Sequence, residues 1–260
     1  MQSIPRNLGA SLVGVLVAAT LVLFPPTATP ASATSQDGSD SVVDFALSTT
    51  DDKKASGPAS SFPDLSTNAT WEAWLYPTST TGYQTFIAKE YSFVFGIIEG
   101  TYSWAFGDGQ AWSVPSWYST GVSPTLNSWQ HVAFVKSGTN LKFYLDGQLA
   151  YEGALAFSGL ASSNFSFWVG DRGSEYFTGQ IDEVRVWNID RSAEIGTHLH
   201  QRLTGSETGL LGYWDFNEPS GDTVYNRVSG QPNLELEGSP ERVDVKVATR
   251  LTGGDTLISF

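Results

Sequence analysis

Phe177-Thr178-Gly179-Gln180-Ile181-Asp182-Glu183-Val184-Arg185-Val186-Trp187-Asn188 decides the architecture of this 260-residue chain. Read with the period of two that an extended strand imposes, Asp182, Val184 and Val186 share one face, and Ile181, Glu183, Arg185 and Trp187 share the other. The first face is aliphatic, ends in a carboxylate, and is assigned to the core. Three more strand patterns lead up to it. Trp129-Gln130-His131-Val132-Ala133-Phe134-Val135 comes first. In Leu141-Lys142-Phe143-Tyr144-Leu145, the residues Leu141, Phe143 and Leu145 face one way, and Asp146-Gly147 then supplies the positive φ angles of a tight hairpin. Phe165-Ser166-Phe167-Trp168-Val169-Gly170 follows, its aromatics read as facing the core. Upstream, Trp71-Glu72-Ala73-Trp74-Leu75-Tyr76 sets Trp71, Ala73 and Leu75 against Glu72, Trp74 and Tyr76, so both faces carry aromatic rings.

This order of phrases resembles the laminin-G-like, concanavalin A-like lectin/glucanase domains over residues 42–203. The resemblance implies an all-β fold, a two-sheet antiparallel jelly-roll sandwich, often used outside the cell to hold sugars or other surfaces. Fold alone does not fix the ligand.

The N-terminus reads as an export signal. Arg6 gives a positive start, residues 8–24 form an apolar run, and Ala31-Ser32-Ala33 supplies the small-x-small cleavage pattern. Pro25, Pro26 and Pro30 favour cleavage after Ala33 over an uncleaved anchor, and no later segment is apolar enough to span a bilayer. The expectation is a secreted, extracellular protein with no membrane attachment after signal cleavage. Absence of cysteine excludes disulfides, thiolate metal sites and cysteine nucleophiles. Once the signal is removed, 13 basic residues stand against 27 acidic ones, a net charge of −14. Such a surface repels phosphate backbones, so nucleic acid is excluded as a partner. It suits a hard cation held by carboxylates.

The mature part divides into a polar linker at 34–41, the sandwich at 42–203, an extension at 204–248 and a tail at 249–260. The first strand is placed at 41–47. Residues 51–58, with their charges, Gly57 and Pro58, read as an exposed loop. A short helix is predicted after Trp187, with Ser192 as N-cap, Glu194 in the first turn, and Ile195 and Leu199 facing the sandwich. His198 and His200, two apart, make a poor metal pair and read as solvated imidazoles. Gly209-Leu210-Leu211-Gly212-Tyr213-Trp214-Asp215-Phe216 resembles the phrase that joins one laminin-G-like unit to the next. The strand-like pieces at 233–237 and 242–248 are too few for a second sandwich. Either they add strands to the first domain, or the chain is a fragment of a longer array.

Catalysis finds little footing. Glycoside hydrolysis needs two carboxylates across the scissile bond. The glucanases of this fold place theirs on one strand as Glu-x-Asp-x-x-Glu, a spacing absent here. Asp182 and Glu183 are adjacent, and in a regular strand they point to opposite faces. His131, His198 and His200 have no nucleophile motif beside them, and His131 reads as a packed or hydrogen-bonded strand histidine.

Binding remains, on two constellations. Trp104, Trp112, Trp117 and Tyr118 fall in one segment with Gly107-Asp108-Gly109, Pro115 and Gly121. Rings exposed at strand ends can stack on a pyranose while nearby Asp, Asn or Gln bind its hydroxyls. The alternative is that they fill the core. The second constellation is a structural calcium, for which the resemblance offers Asp182, with Asp44 on the pairing N-terminal strand. The other reading has Asp182 accepting backbone N–H bonds. The favoured function is a secreted lectin-like module that binds carbohydrate without cleaving it. The alternative is an extracellular adhesion or structural module that docks onto a protein or matrix ligand, and a glycan-cleaving enzyme comes last.

Overall fold

The computed structural model describes residues 45–244, apart from 51, 63, 64, 66 and 113–116. Within that range two eight-stranded antiparallel sheets face each other. The first runs β10 (Gln148–Ala154), β9 (Asn140–Leu145), β8 (Gln130–Ser137), β3 (Asn68–Pro77), β12 (Gly179–Trp187), β1 (Phe45–Thr49) and β16 (Glu241–Asp244), with β13 (Leu210–Trp214) on the later half of β12. The second runs β14 (Thr223–Val224), β15 (Leu234–Glu237), β2 (Lys54–Gly57), β11 (Phe167–Val169), β4 (Tyr83–Lys89), β5 (Phe93–Ile98), β6 (Thr101–Phe106) and β7 (Tyr118–Ser119). A single short helix among the described residues, α1 (Ile195–His198), lies outside the sandwich core.

Alternation explains the core. Trp71, Ala73 and Leu75 of β3 and Leu141 and Phe143 of β9 point between the sheets and are buried, as the period of two requires. Aromatic rings cross the gap: Phe95 stacks on Phe134 at 4.5 Å, Trp71 leans on Phe95 at 4.8 Å, and Phe167 stacks on Trp214 at 5.3 Å. Burial of each such side chain contributes ~1.5–3 kcal/mol, so this layer dominates the favourable side of folding. The hairpin of β9 and β10 turns on Asp146 (φ 49°) and Gly147 (φ 77°), and the Asp146 carboxylate accepts the His131 N–H at 2.8 Å.

The deciding strand departs from regular alternation. Pairing of β12 with β3 slips between Asp182 and Arg185, so that Glu183 and Val184 together oppose Ala73, and Glu183 adopts φ 52°. This β-bulge resets the phase. Ile181, Val184 and Val186 all reach the core, whereas Asp182, opposite Trp74, and Arg185, opposite Glu72, lie on the outer side. The aliphatic face therefore does not contain Asp182, which corrects the reading from strict alternation.

Residues 51–58 are not wholly loop. Lys54–Gly57 is β2, an interior strand between β11 and β15. Ala55 faces the core, a Cβ at Gly57 would meet Leu234 at 2.8 Å, and Lys54 faces out to Asp171 at 3.2 Å. Charge and glycine were tolerated because each stands on the face that suits it. The extension beyond residue 203 supplies β13 to the first sheet, β14 and β15 to the second, and β16 beside β1, all within the same sandwich. The helix keeps Ile195 and Leu199 buried, yet Glu194 takes the N-cap position without a side-chain capping bond, and the Ser192 hydroxyl caps nothing. His198 bonds Thr197 and the Glu194 carbonyl, while His200 leans on Trp74 at 5.1 Å.

Candidate functional site

The four aromatics do not form one patch. Trp104 is a core residue at 2% exposure, its ring parallel to Tyr118 at 4.4 Å and 8°, so no sugar can reach it. Its place on the inward side of β6, directly opposite Tyr118 of the edge strand, accounts for this. Tyr118 is half-buried against the core. Trp112 and Trp117 go to the other face of the second sheet and are also half-buried.

Trp112 does line a cleft of about 440 Å³ at the end of β6. One wall is the turn after Phe106, comprising Gly107, Asp108 and Trp112; the other is Phe157, Gly159, Leu160 and Ala161 from the connection after β10. Gly107 pairs with Trp112 across the turn, and a Cβ there would lie 2.3 Å from the Tyr91 carbonyl, so only glycine permits the approach. The exposed Asp108 accepts the Gln110 and Ala111 N–H groups on one oxygen, Oδ1, at 2.9 and 2.7 Å, and these bonds hold its carboxyl below the usual range. Trp112 donates its indole N–H to Glu90 at 3.1 Å, and the Arg172 guanidinium sits 5.0 Å from its ring centre. Phe157 meets Phe106 edge to face at 5.7 Å.

The second wall has no secondary structure of its own and is fixed by side chains from three strands or their ends. Lys136 of β8 donates to the carbonyls of Thr67, Gly138 and Ser158. Ser92 donates to Ala161 at 2.6 Å, and Lys89 of β4 donates to Ala59 and Phe165 at 2.7 and 2.9 Å. Burial pulls the Lys89 ammonium down to about 8 and lowers that of Lys136. The cleft is thus largely pre-formed, a property of ligand sites. Phe157 and Leu160 were missed in the sequence although Phe157-Ser158-Gly159-Leu160 carries the same mixture of apolar side chains and glycine that marked residues 104–118.

The two acids of the deciding strand are committed elsewhere. Glu183 accepts from Arg185 at 2.7 Å and from the Tyr213 hydroxyl at 2.9 Å, all buried. Asp182, fully buried, accepts the Glu183 N–H at 2.7 Å, the bond that fixes the bulge. No group of three His, Cys, Asp or Glu suited to a metal occurs among the described residues, and Asp44 lies outside them. Residues 1–41, where the signal and linker were placed, and the tail at 249–260 also lie outside. No helix among the described residues is long and apolar enough to cross a membrane.

The two-sheet antiparallel core agrees with the family comparison, in which the laminin-G-type model of the concanavalin A-like lectin/glucanases superfamily matches residues 48–195. The chain belongs to that superfamily. A search of curated proteins finds no match. Among solved structures, a "putative carbohydrate binding protein" from Bacteroides ovatus ATCC 8483 is similar with a TM-score of 0.63 and 16% identity, over 81% of this chain and 62% of the other. This superfamily member thus spans less than two thirds of that neighbour. The native heptameric SAP-like pentraxin from Limulus polyphemus is similar with a TM-score of 0.54 and 13% identity, over 81% of this chain and 98% of the pentraxin. At these identities the likeness concerns the fold.

Proposed function

We propose that this superfamily member is an extracellular carbohydrate-binding module that holds glycan in the cleft between Trp112 and Phe157 without cleaving it. The observation that carries the reading is the cleft's make-up: aromatic and aliphatic side chains on two walls, a carboxylate at the mouth, and walls fixed before any ligand arrives. Apolar rings offer area to the C–H faces of a sugar, and Asp108 accepts its hydroxyls. The fold shared with the neighbour described as a "putative carbohydrate binding protein" supports the same reading. Binding without hydrolysis is supported by the single carboxylate, Asp108, that lines the cleft among the described residues, where glycosidases use two. Export after cleavage at Ala33 belongs to this proposal, and N-terminal sequencing of the mature protein tests it.

The binding test is retention of the mature protein by soluble polysaccharides in native gels, with Phe157→Leu as the variant. Leucine keeps the apolar contact with Phe106 and removes the ring face. Retention should fall at least tenfold while the melting temperature holds. Equal retention by both proteins refutes the cleft, and capture by a protein ligand with no glycan retention replaces this reading with the adhesion module.

A further inference from the structure

The outer face of the second sheet carries a row of side chains that starts beside the cleft. Strand pairing sets Glu235, Ser56, Trp168, Ala88, Val94 and Ala105 side by side, one per strand from β15 to β6. Trp117, the residue before Tyr118, continues the row past Ala105. Ala88, Val94 and Ala105 are completely buried although they face away from the core, and Trp112, Trp117 and Trp168 pack against them. Three small side chains cannot shield one another on an open sheet, so the indoles lie across them and keep part of their own surface in solvent. At ~4.8 Å per strand, the four steps from Trp168 to Trp117 separate their backbones by ~19 Å. Trp112 belongs both to this ledge and to the cleft.

The charges around the ledge select among ligands. Lys54 is engaged by Asp171 at 3.2 Å and Glu237 at 3.7 Å; Arg172 is engaged by Glu90 at 3.5 Å and Glu175 at 3.3 Å. Both cations are satisfied by carboxylates, and Glu235 adds another at the end of the row. A polyanion would meet net repulsion here, whereas sugar hydroxyls would meet acceptors.

Resting on the carbohydrate reading of the cleft, we propose that the ligand is the interior of an extended, uncharged polysaccharide, with sugar rings beyond the cleft stacking on Trp168 and Trp117. A ledge of this length exceeds one ring, and its continuity with the cleft through Trp112 gives a chain a single path. Trp168 is an added ligand contact.

The test compares Trp168→Leu, Trp117→Leu and Phe157→Leu with wild type in native gels containing neutral β-glucan, xylan or arabinan, or anionic alginate. Calorimetry with trisaccharides cut from whichever polymer retains the wild type completes it. Leucine still covers Ala88, Val94 and Ala105, and either ledge variant serves if the other fails to fold. The ledge variants should lose at least tenfold in retention by the neutral polymer, bind trisaccharide as wild type does, and melt unchanged. Wild-type retention in both ledge variants, with loss in Phe157→Leu, overturns the ledge and leaves the cleft standing. Loss in the ledge variants alone overturns the cleft and keeps the ledge. Retention by alginate overturns the assignment to uncharged chains, and no retention of the wild type by any polymer overturns both sites.

Discussion

Glu72 Oε1 and Arg191 Nη1, 119 residues apart in sequence, lie 2.8 Å from each other in a buried position on the outer side of the first sheet. Arg191 also bonds Glu194 and lies 3.8 Å over the Trp187 ring. The second Glu72 oxygen faces His131 Nε2 at 3.2 Å and Arg185 at 3.9 Å. One carboxylate therefore joins β3, β8, β12 and the segment leading into α1. The outward residues of β3 are buried because that segment folds back over them, held by these charges and by the Trp74 indole donating to the Leu199 carbonyl at 3.3 Å.

Glu72→Gln should destabilise the domain by about 3–5 kcal/mol at pH 7, because removing one member strands buried guanidinium charge. Urea unfolding of both proteins measures it; a loss below about 1 kcal/mol, ordinary for a surface change, would show that the network contributes little.

The same group gives a pH dependence. Burial alone would raise the Glu72 carboxyl, yet His131, Arg185 and Arg191 hold it at about 2, against an ordinary 4.5. A carboxyl depressed in the folded state stabilises above its unfolded value, and that stability is lost as pH falls from 4.5 toward 2. Glu183 runs the other way: burial pushes it up to about 7 despite Arg185, so its contribution is present below 4.5 and lost as pH rises toward 7. Unfolding free energy in wild type should rise from pH 2 to about 4.5. Glu72→Gln should flatten that limb and leave the fall between 4.5 and 7, and an unchanged acid limb in the variant contradicts the assignment.

The strands with clean alternation were legible: β3 and β9 keep the faces their sequences announce, and Asp146-Gly147 turns as expected. What failed was local backbone geometry. A bulge inserts one residue without a compositional mark, and Glu183 at positive φ carries no glycine to announce it. In β2 a lysine and a glycine hid an interior strand, because which face each side chain takes depends on β15, nearly 180 residues away in sequence. At the candidate site the turn with Asp108 and Trp112 was visible, whereas the opposite wall is set against it by the Phe157–Phe106 contact and by bonds from Lys136, Ser92 and Lys89, contacts between distant segments. Trp168, grouped with the core-facing aromatics, proves to face outward, and Phe165 is 42% exposed.

Trp104→Ala and Trp117→Ala should separate core from surface. The first leaves a void beneath Tyr118 and beside Phe106 and should cost ~3–5 kcal/mol. The second trims a half-buried ring on the outer face and should cost less than half as much. Equal losses in urea unfolding would place both rings in one packed layer, contrary to their pairing.

Lys136→Met should act on both fold and cleft. Methionine fills the stem's space but leaves the carbonyls of Thr67, Gly138 and Ser158 without their buried donor, and each stranded group costs ~1–3 kcal/mol where water cannot replace it. The expected result is a lower melting temperature together with weaker glycan retention, since Ser158 adjoins the wall that carries Phe157. Loss of stability with undiminished retention would show that this tether does not shape the site.

Asp182→Asn tests what the buried carboxylate is for. Its bond to the Glu183 N–H holds the bulge, and an amide oxygen is a weaker acceptor than a carboxylate, so the variant should lose ~1–2 kcal/mol. That loss should be the same with and without a calcium chelator, because the bond is made within the chain. Calcium held at Asp182 together with residues outside the described range, Asp44 among them, predicts a different pattern. Ion binding to the folded state alone adds RT ln(1 + [Ca²⁺]/Kd), ~2.7 kcal/mol at a hundredfold excess over Kd. Chelator would then lower the wild-type melting temperature and leave Asp182→Asn unmoved. Thermal melts of the two proteins in calcium and in chelator decide between a carboxylate that shapes the strand and one that holds a cation.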